Sequence, residues 1–204
     1  MSILENDDNR LSAEAFIESL TPGKMLTFRV IAAVLMMGTL LFFFLILMMR
    51  YQYSPVKLSS ASKNISILQI LSMVHAVMAV GIVMASLIIY PLIVSKKNLS
   101  NLNLACTAAP DEQPLTPEAR CGSLIFTGYI IRAAMFEGIA IFGMIICVIG
   151  TLNGLLRQYP VYWLNLLSLV IFQLYMILTF PTRRRLTVTF RRRFMESSRF
   201  GVME

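Results

Sequence analysis

Four long stretches of the chain are free or nearly free of charge, and short charged segments separate them. A hydrocarbon core about 30 Å thick takes about 20 apolar residues in a helix. The pattern therefore predicts spans at about 30–49, 67–94, 124–152 and 162–180. Arg29 and Arg50 bound the first span, whose second half, Leu40–Leu47, is bulky and apolar. The second is longer than a bilayer needs, so it must tilt or project. It carries Gln69, Ser72 and His75 near one end, followed by Ala76, Ala79, Gly81, Ala85 and Ser86. Small residues let helices approach closely in lipid. The third holds two ionisable residues, Arg132 and Glu137. The fourth opens on Tyr162-Trp163, an interfacial pair, and ends at Pro181.

The remaining segments are polar. In residues 1–24, Ala13, Phe16, Ile17 and Leu20 recur at helical spacing behind Ser12, a natural N-cap, with Thr21-Pro22-Gly23 as a stop. The pattern is a short amphipathic helix in an acidic segment. Residues 95–122 read as a loop, with one helical turn near Leu115–Arg120. Asn153–Tyr159 is a tight connection. Residues 182–204 form a basic tail with Phe190, Phe194 and Phe200 between its arginines. Three parts result: an acidic N-terminal segment (1–24), a four-helix membrane domain (25–181) and the tail.

Charge then orients the chain. With four spans, the two ends and the central loop share a side, and that side carries 13 Lys and Arg against 4 on the other. Positive charge favours the cytoplasmic side. The expected fold is an all-α membrane protein of two antiparallel hairpins with both ends cytoplasmic, multi-pass in a bacterial inner membrane. No cleavable signal peptide is evident.

Composition agrees: hydrophobic residues are 57%, charged residues 14%, and mean hydropathy is +0.71. A soluble domain carries about 25% charged residues. The net charge of +7 reads as juxtamembrane charge, and no folded nucleic-acid reader is visible. The cysteines Cys106, Cys121 and Cys147 and the single His75 fall short of the common zinc sets. In a reducing compartment Cys106 and Cys121 are expected as free thiols. Neither a nucleophile elbow, a phosphate loop nor a zinc-protease motif occurs. No metal or cofactor is expected.

Glu137 is the leading candidate for function. It is the only acidic residue between Glu118 and Glu196, near the middle of its span. A carboxylate at that depth costs about 2.5–3.5 kcal/mol, so it is expected to be neutral much of the time, or paired. Ala133, Ala134, Gly138, Ala140 and Gly143 put small residues beside it, with Gly81 and Ala85 as their counterparts in the second span. Arg132 lies about 7.5 Å away along the axis and about 140° round the helix, so it is expected to snorkel to the inner headgroups or to pair with another subunit. His75 and Gln69 are possible polar contacts nearer the outer interface, with proton entry or quinone contact as the alternative role for His75. Arg183, Arg184, Arg185, Arg191, Arg192 and Arg193 beside a span suit anionic lipid.

The stretch Arg132–Ile146, with Glu137-Gly138-Ile139-Ala140-Ile141-Phe142-Gly143 at its centre, resembles the carboxylate helix of rotary ATPase proteolipid (c-type) subunits. That resemblance implies Glu137 as an ion-binding carboxylate. The chain departs from that family in its long central loop, basic tail and lack of a GxGxG run. As a whole it resembles a family of uncharacterised bacterial four-span inner-membrane proteins with an R-x-A-x-x-E-G helix (Arg132–Gly138) and an F-P-T-R ending (Phe180–Arg183), which implies no activity. The expected function is that of a non-enzymatic subunit or accessory of a larger membrane complex, in contact with lipid and other subunits. The alternative is a proton- or cation-translocating subunit using Glu137.

Overall fold

The computed structural model describes residues 11–52, 61–95 and 116–195. Every regular element among them is helical: α1 (Ala13–Ser19), α2 (Pro22–Gln52), α3 (Ala61–Ile93), α4 (Pro117–Leu152), α5 (Leu155–Gln158), a 3-10 helix (Pro160–Leu166), α6 (Leu167–Thr179), α7 (Arg183–Phe190) and a π-helical turn (Arg191–Met195). Four helical stretches are long and apolar enough to cross a membrane: Pro22–Gln52, Ile65–Ile93, Pro117–Leu152 and Pro160–Thr179.

Local chemistry extends the first and third of these beyond their apolar runs. Pro22 lacks an N–H and its φ is preset, so it suits a helix's first turn. Thr21 caps that turn, its Oγ1 accepting from Lys24 N at 3.4 Å. Pro117 opens α4 behind Thr116, whose Oγ1 accepts from Ala119 N at 3.3 Å. The turn expected near Leu115–Arg120 is thus the start of the third spanning helix.

The fourth spanning stretch departs most from expectation, because its first seven residues are 3-10 helix. Asn165 Nδ2 donates to the Tyr162 carbonyl at 2.9 Å and Ser168 Oγ to the Asn165 carbonyl at 3.0 Å. These side-chain bonds accompany the backbone's own i to i−3 bonds, Tyr162 N to the Tyr159 carbonyl at 3.3 Å and Leu167 N to the Leu164 carbonyl. A 3-10 helix rises about 2.0 Å per residue, so the short stretch reaches about 34 Å.

The chain forms two compact units. Unit 1 comprises residues 1–28, 90–129 and 181–204. Ser12 caps α1 by accepting from Glu14 N and Ala15 N, and the helix turns Phe16 inward. Phe16 is fully buried and stacks on Phe190 of α7, ring centroids 4.2 Å apart and nearly parallel. Leu20, Met25, Val94, Cys121, Leu124, Ile125, Leu186 and Phe194 complete this core. Ile17, expected on the apolar face, is exposed. The first and last parts of the three-part sequence division thus lie together, with the ends of α2, α3 and α4. Leu186, Phe190 and Phe194 recur every four residues and bury one face of α7 and its turn.

Unit 2 comprises residues 29–89 and 130–180. Leu68 of α3 lies against Gly150 of α4, and His75 against Gly143, so the two helices run antiparallel there. Gln173 Nε2 on α6 donates to Thr39 Oγ1 on α2 at 2.7 Å and to the Met36 carbonyl at 3.1 Å. The Arg50 guanidinium of α2 lies 4.8 Å over the Trp163 ring. Large apolar side chains cover the outside, among them Leu41, Met48, Val77 and Leu174. Cys121 and Cys147 are buried free thiols; Cys106 lies outside the described residues.

Candidate functional site

The residues singled out by sequence fall into three places. On α4, the helix repeat divides the small residues. Ala133, Ala140 and Gly143 are buried, whereas Ala134 and Gly138 are exposed with Ile141. A Cβ added at Gly138 would meet nothing. Glu137 is half-buried at the edge of this exposed stripe. Among the described residues, no hydrogen bond or ion pair reaches its carboxylate. Gly81 is exposed, Ala85 half-buried, and a Cβ at Gly81 would also meet nothing. Arg132 is turned towards α6: its guanidinium lies 5.3 Å from the Tyr175 ring centroid and 6.0 Å from that of Phe136. Cation–π attraction draws it towards these rings.

His75 belongs to a second place. It is 5% exposed. Its Nδ1 lies 2.9 Å from Asn165 Oδ1 and its Nε2 3.2 Å from Ser168 Oγ. Asn165 Nδ2 donates to Ser72 Oγ at 3.0 Å as well as to the Tyr162 carbonyl. A carbonyl only accepts, so this contact fixes the amide with Nδ2 towards it. Asn165 Oδ1 is therefore the acceptor, and His75 Nδ1 carries a proton. Gly143 makes the node possible: a Cβ there would overlap the Asn165 carbonyl oxygen and come within 2.9 Å of His75 and Ser168. Gln69, by contrast, is exposed.

Neither a family of known proteins nor a curated protein nor a solved structure matches this chain.

The third place is the arginine set of the tail, which the fold sorts by role. Arg183 Nη2 donates to the Leu20 carbonyl at 3.2 Å, placing positive charge at the C-terminal end of α1. Arg193 lies 5.8 Å over the Tyr90 ring. Arg184, Arg185, Arg191 and Arg192 are exposed, away from the buried Leu186–Phe190–Phe194 edge.

Sequence reading overlooked Asn165, Ser168, Thr39 and Gln173. The signal was present: amides and hydroxyls inside apolar stretches bond across helices because lipid offers them nothing else.

Proposed function

We propose that this chain is a multi-pass protein of the bacterial inner membrane, in two antiparallel hairpins with both polar ends cytoplasmic. It works by association, as a non-enzymatic subunit or accessory of a larger membrane complex. Glu137, Ala134 and Gly138 lie at the contact. The observation that carries this reading is Glu137 itself, a carboxylate in a long apolar helix with no hydrogen-bond or ion-pair partner among the described residues, beside two exposed small residues. A helix supplied by another subunit would approach closely at Ala134 and Gly138 and offer Glu137 a donor. The excess of Lys and Arg on one side, 13 against 4, supports the sidedness. The exposed Arg184, Arg185, Arg191 and Arg192 meet anionic headgroups.

The resemblance of Arg132–Ile146 to the proteolipid carboxylate helix favours a second reading, in which Glu137 carries a proton or cation. Two measurements separate them. In membranes, Gly138→Cys is expected to crosslink to a second polypeptide, and the adduct to vanish when Glu137→Leu is added. An equal yield from Met37→Cys, or indifference to Glu137→Leu, would overturn the association reading. Carbodiimide modification of Glu137 that sodium suppresses would establish the carrier.

A further inference from the structure

Beside the His75 node is a groove of about 420 Å³ between α3 and the 3-10 and α6 segments, all within unit 2. Ser72, His75 and Asn165 form its polar end, and Ala76, Ala79 and Leu167 are among its apolar walls. No Lys, Arg, Asp or Glu lines it. Volumes of about 300–1,000 Å³ with few polar groups are typical of small-molecule sites.

A proton count shows what the polar end offers. Thr27, Thr39, Ser86, Thr151 and Thr179 each return their hydroxyl proton to a backbone carbonyl three or four residues earlier. Ser168 Oγ has two acceptors within reach, the Asn165 carbonyl and His75 Nε2. Ser72 differs. Its oxygen accepts from Asn165 Nδ2, and among the described residues its hydroxyl donates to nothing. A free O–H donor thus stands at the head of an uncharged, apolar groove on the face where Leu164, Leu167 and Ile171 are exposed.

We infer that the groove binds a neutral amphiphile of the prenylquinone type. A ring carbonyl accepts from Ser72 Oγ, and the ring and tail lie along Ala76, Ala79, Leu164 and Leu167. Three features select this occupant. A plain hydrocarbon chain has no acceptor for Ser72. A phospholipid carbonyl lies a few bonds from a phosphate, and the lining supplies no positive charge. Ala76 and Ala79 present only methyl groups to the groove, which leaves room for a ring beside α3. His75 and Asn165 are positioning residues: the Asn165 amide holds the Ser72 oxygen, and His75 holds the amide.

The chain has one tryptophan, Trp163, next in sequence to the groove residue Tyr162. Quinones quench indole emission. Titrating a short-chain benzoquinone into the full chain in mild detergent is expected to quench Trp163 saturably. Loss of one hydrogen bond in Ser72→Ala should weaken binding about 2- to 10-fold, and Ala79→Leu should abolish it by filling the slot. Solvent extracts of purified wild-type protein should contain prenylquinone, and those of Ala79→Leu should not. Ala79→Leu should melt like wild type and Ser72→Ala, which gives up the Asn165 contact, slightly below it; if Ala79→Leu does not, Ala76→Leu replaces it. Linear quenching matching free tryptophanamide in the same micelles would overturn the proposal. So would saturable quenching that neither variant alters, or extracts holding phospholipid alone.

Discussion

Unit 1 and unit 2 each bury apolar side chains, unit 2 around Leu68, Ile146 and Leu155, but they differ in what faces outwards and in the polar bonds between their helices. The buried centre of unit 1 is made of Phe16, Leu20, Leu124, Ile125, Leu186, Phe190 and Phe194, while Glu14, Glu18, Lys24 and the free arginines face outwards. In unit 2 the outside is Leu, Met, Val and Ile, and the contacts joining its helices include His75–Asn165–Ser72 and Thr39–Gln173. The difference follows from the solvent each surface implies. Where the exterior is charged and wet, removing apolar area from water is the main driving force. Where it is apolar, a leucine gains little by leaving lipid for protein, and close packing and interhelical hydrogen bonds carry the association instead.

Substitutions can break this contrast at either end. Phe16→Ala should have the largest effect, about 3–5 kcal/mol as for other buried aromatic side chains. It should fall on unit 1 alone, seen as faster trypsin cleavage at Arg184 and Arg185 with helicity in detergent nearly unchanged. Cleavage at the wild-type rate would show that the Phe16–Phe190 stack is not what holds the tail. Gly143→Ala comes next. The clashing atom at Asn165 is backbone and cannot swing away, so overpacking of about 1–3 kcal/mol should lower the thermal midpoint in detergent. If Gly138→Ala lowered it as much, the division of α4 into a packed and an open face would be wrong. Asn165→Val deprives His75 Nδ1 of its acceptor and should cost about 1–2 kcal/mol, with Gln173→Leu smaller at about 0.6 kcal/mol. Unfolding in mixed micelles would rank them. A cost for Gln173→Leu rivalling that of Phe16→Ala would abolish the distinction between the units.

The existence of the four spanning helices was legible because it depends on runs of apolar residues long enough for hydrocarbon. The Ser12 cap was legible for a similarly local reason: Glu14 and Ala15 are its near neighbours. What could not be read depends on partners distant in sequence. Phe190 and Phe194 stood out between arginines, but nothing local names Phe16 as the surface they cover. The 3-10 winding at Pro160–Leu166 goes with an Asn165 amide that turns back on the Tyr162 carbonyl. The small residues around Glu137 are one group along the sequence, but the helical repeat puts Gly143 on the buried side and Gly138 on the exposed one. His75 was visible as a bonded histidine, but Asn165 went unnoticed as its partner.

The Phe16–Phe190 stack also orders events in time. Phe190 is translated roughly 170 residues after Phe16, on the order of ten seconds or more at ordinary elongation rates. Throughout that interval Phe16 lacks its covering ring. Closure of unit 1 therefore waits until all four of the long apolar helical stretches have been synthesised.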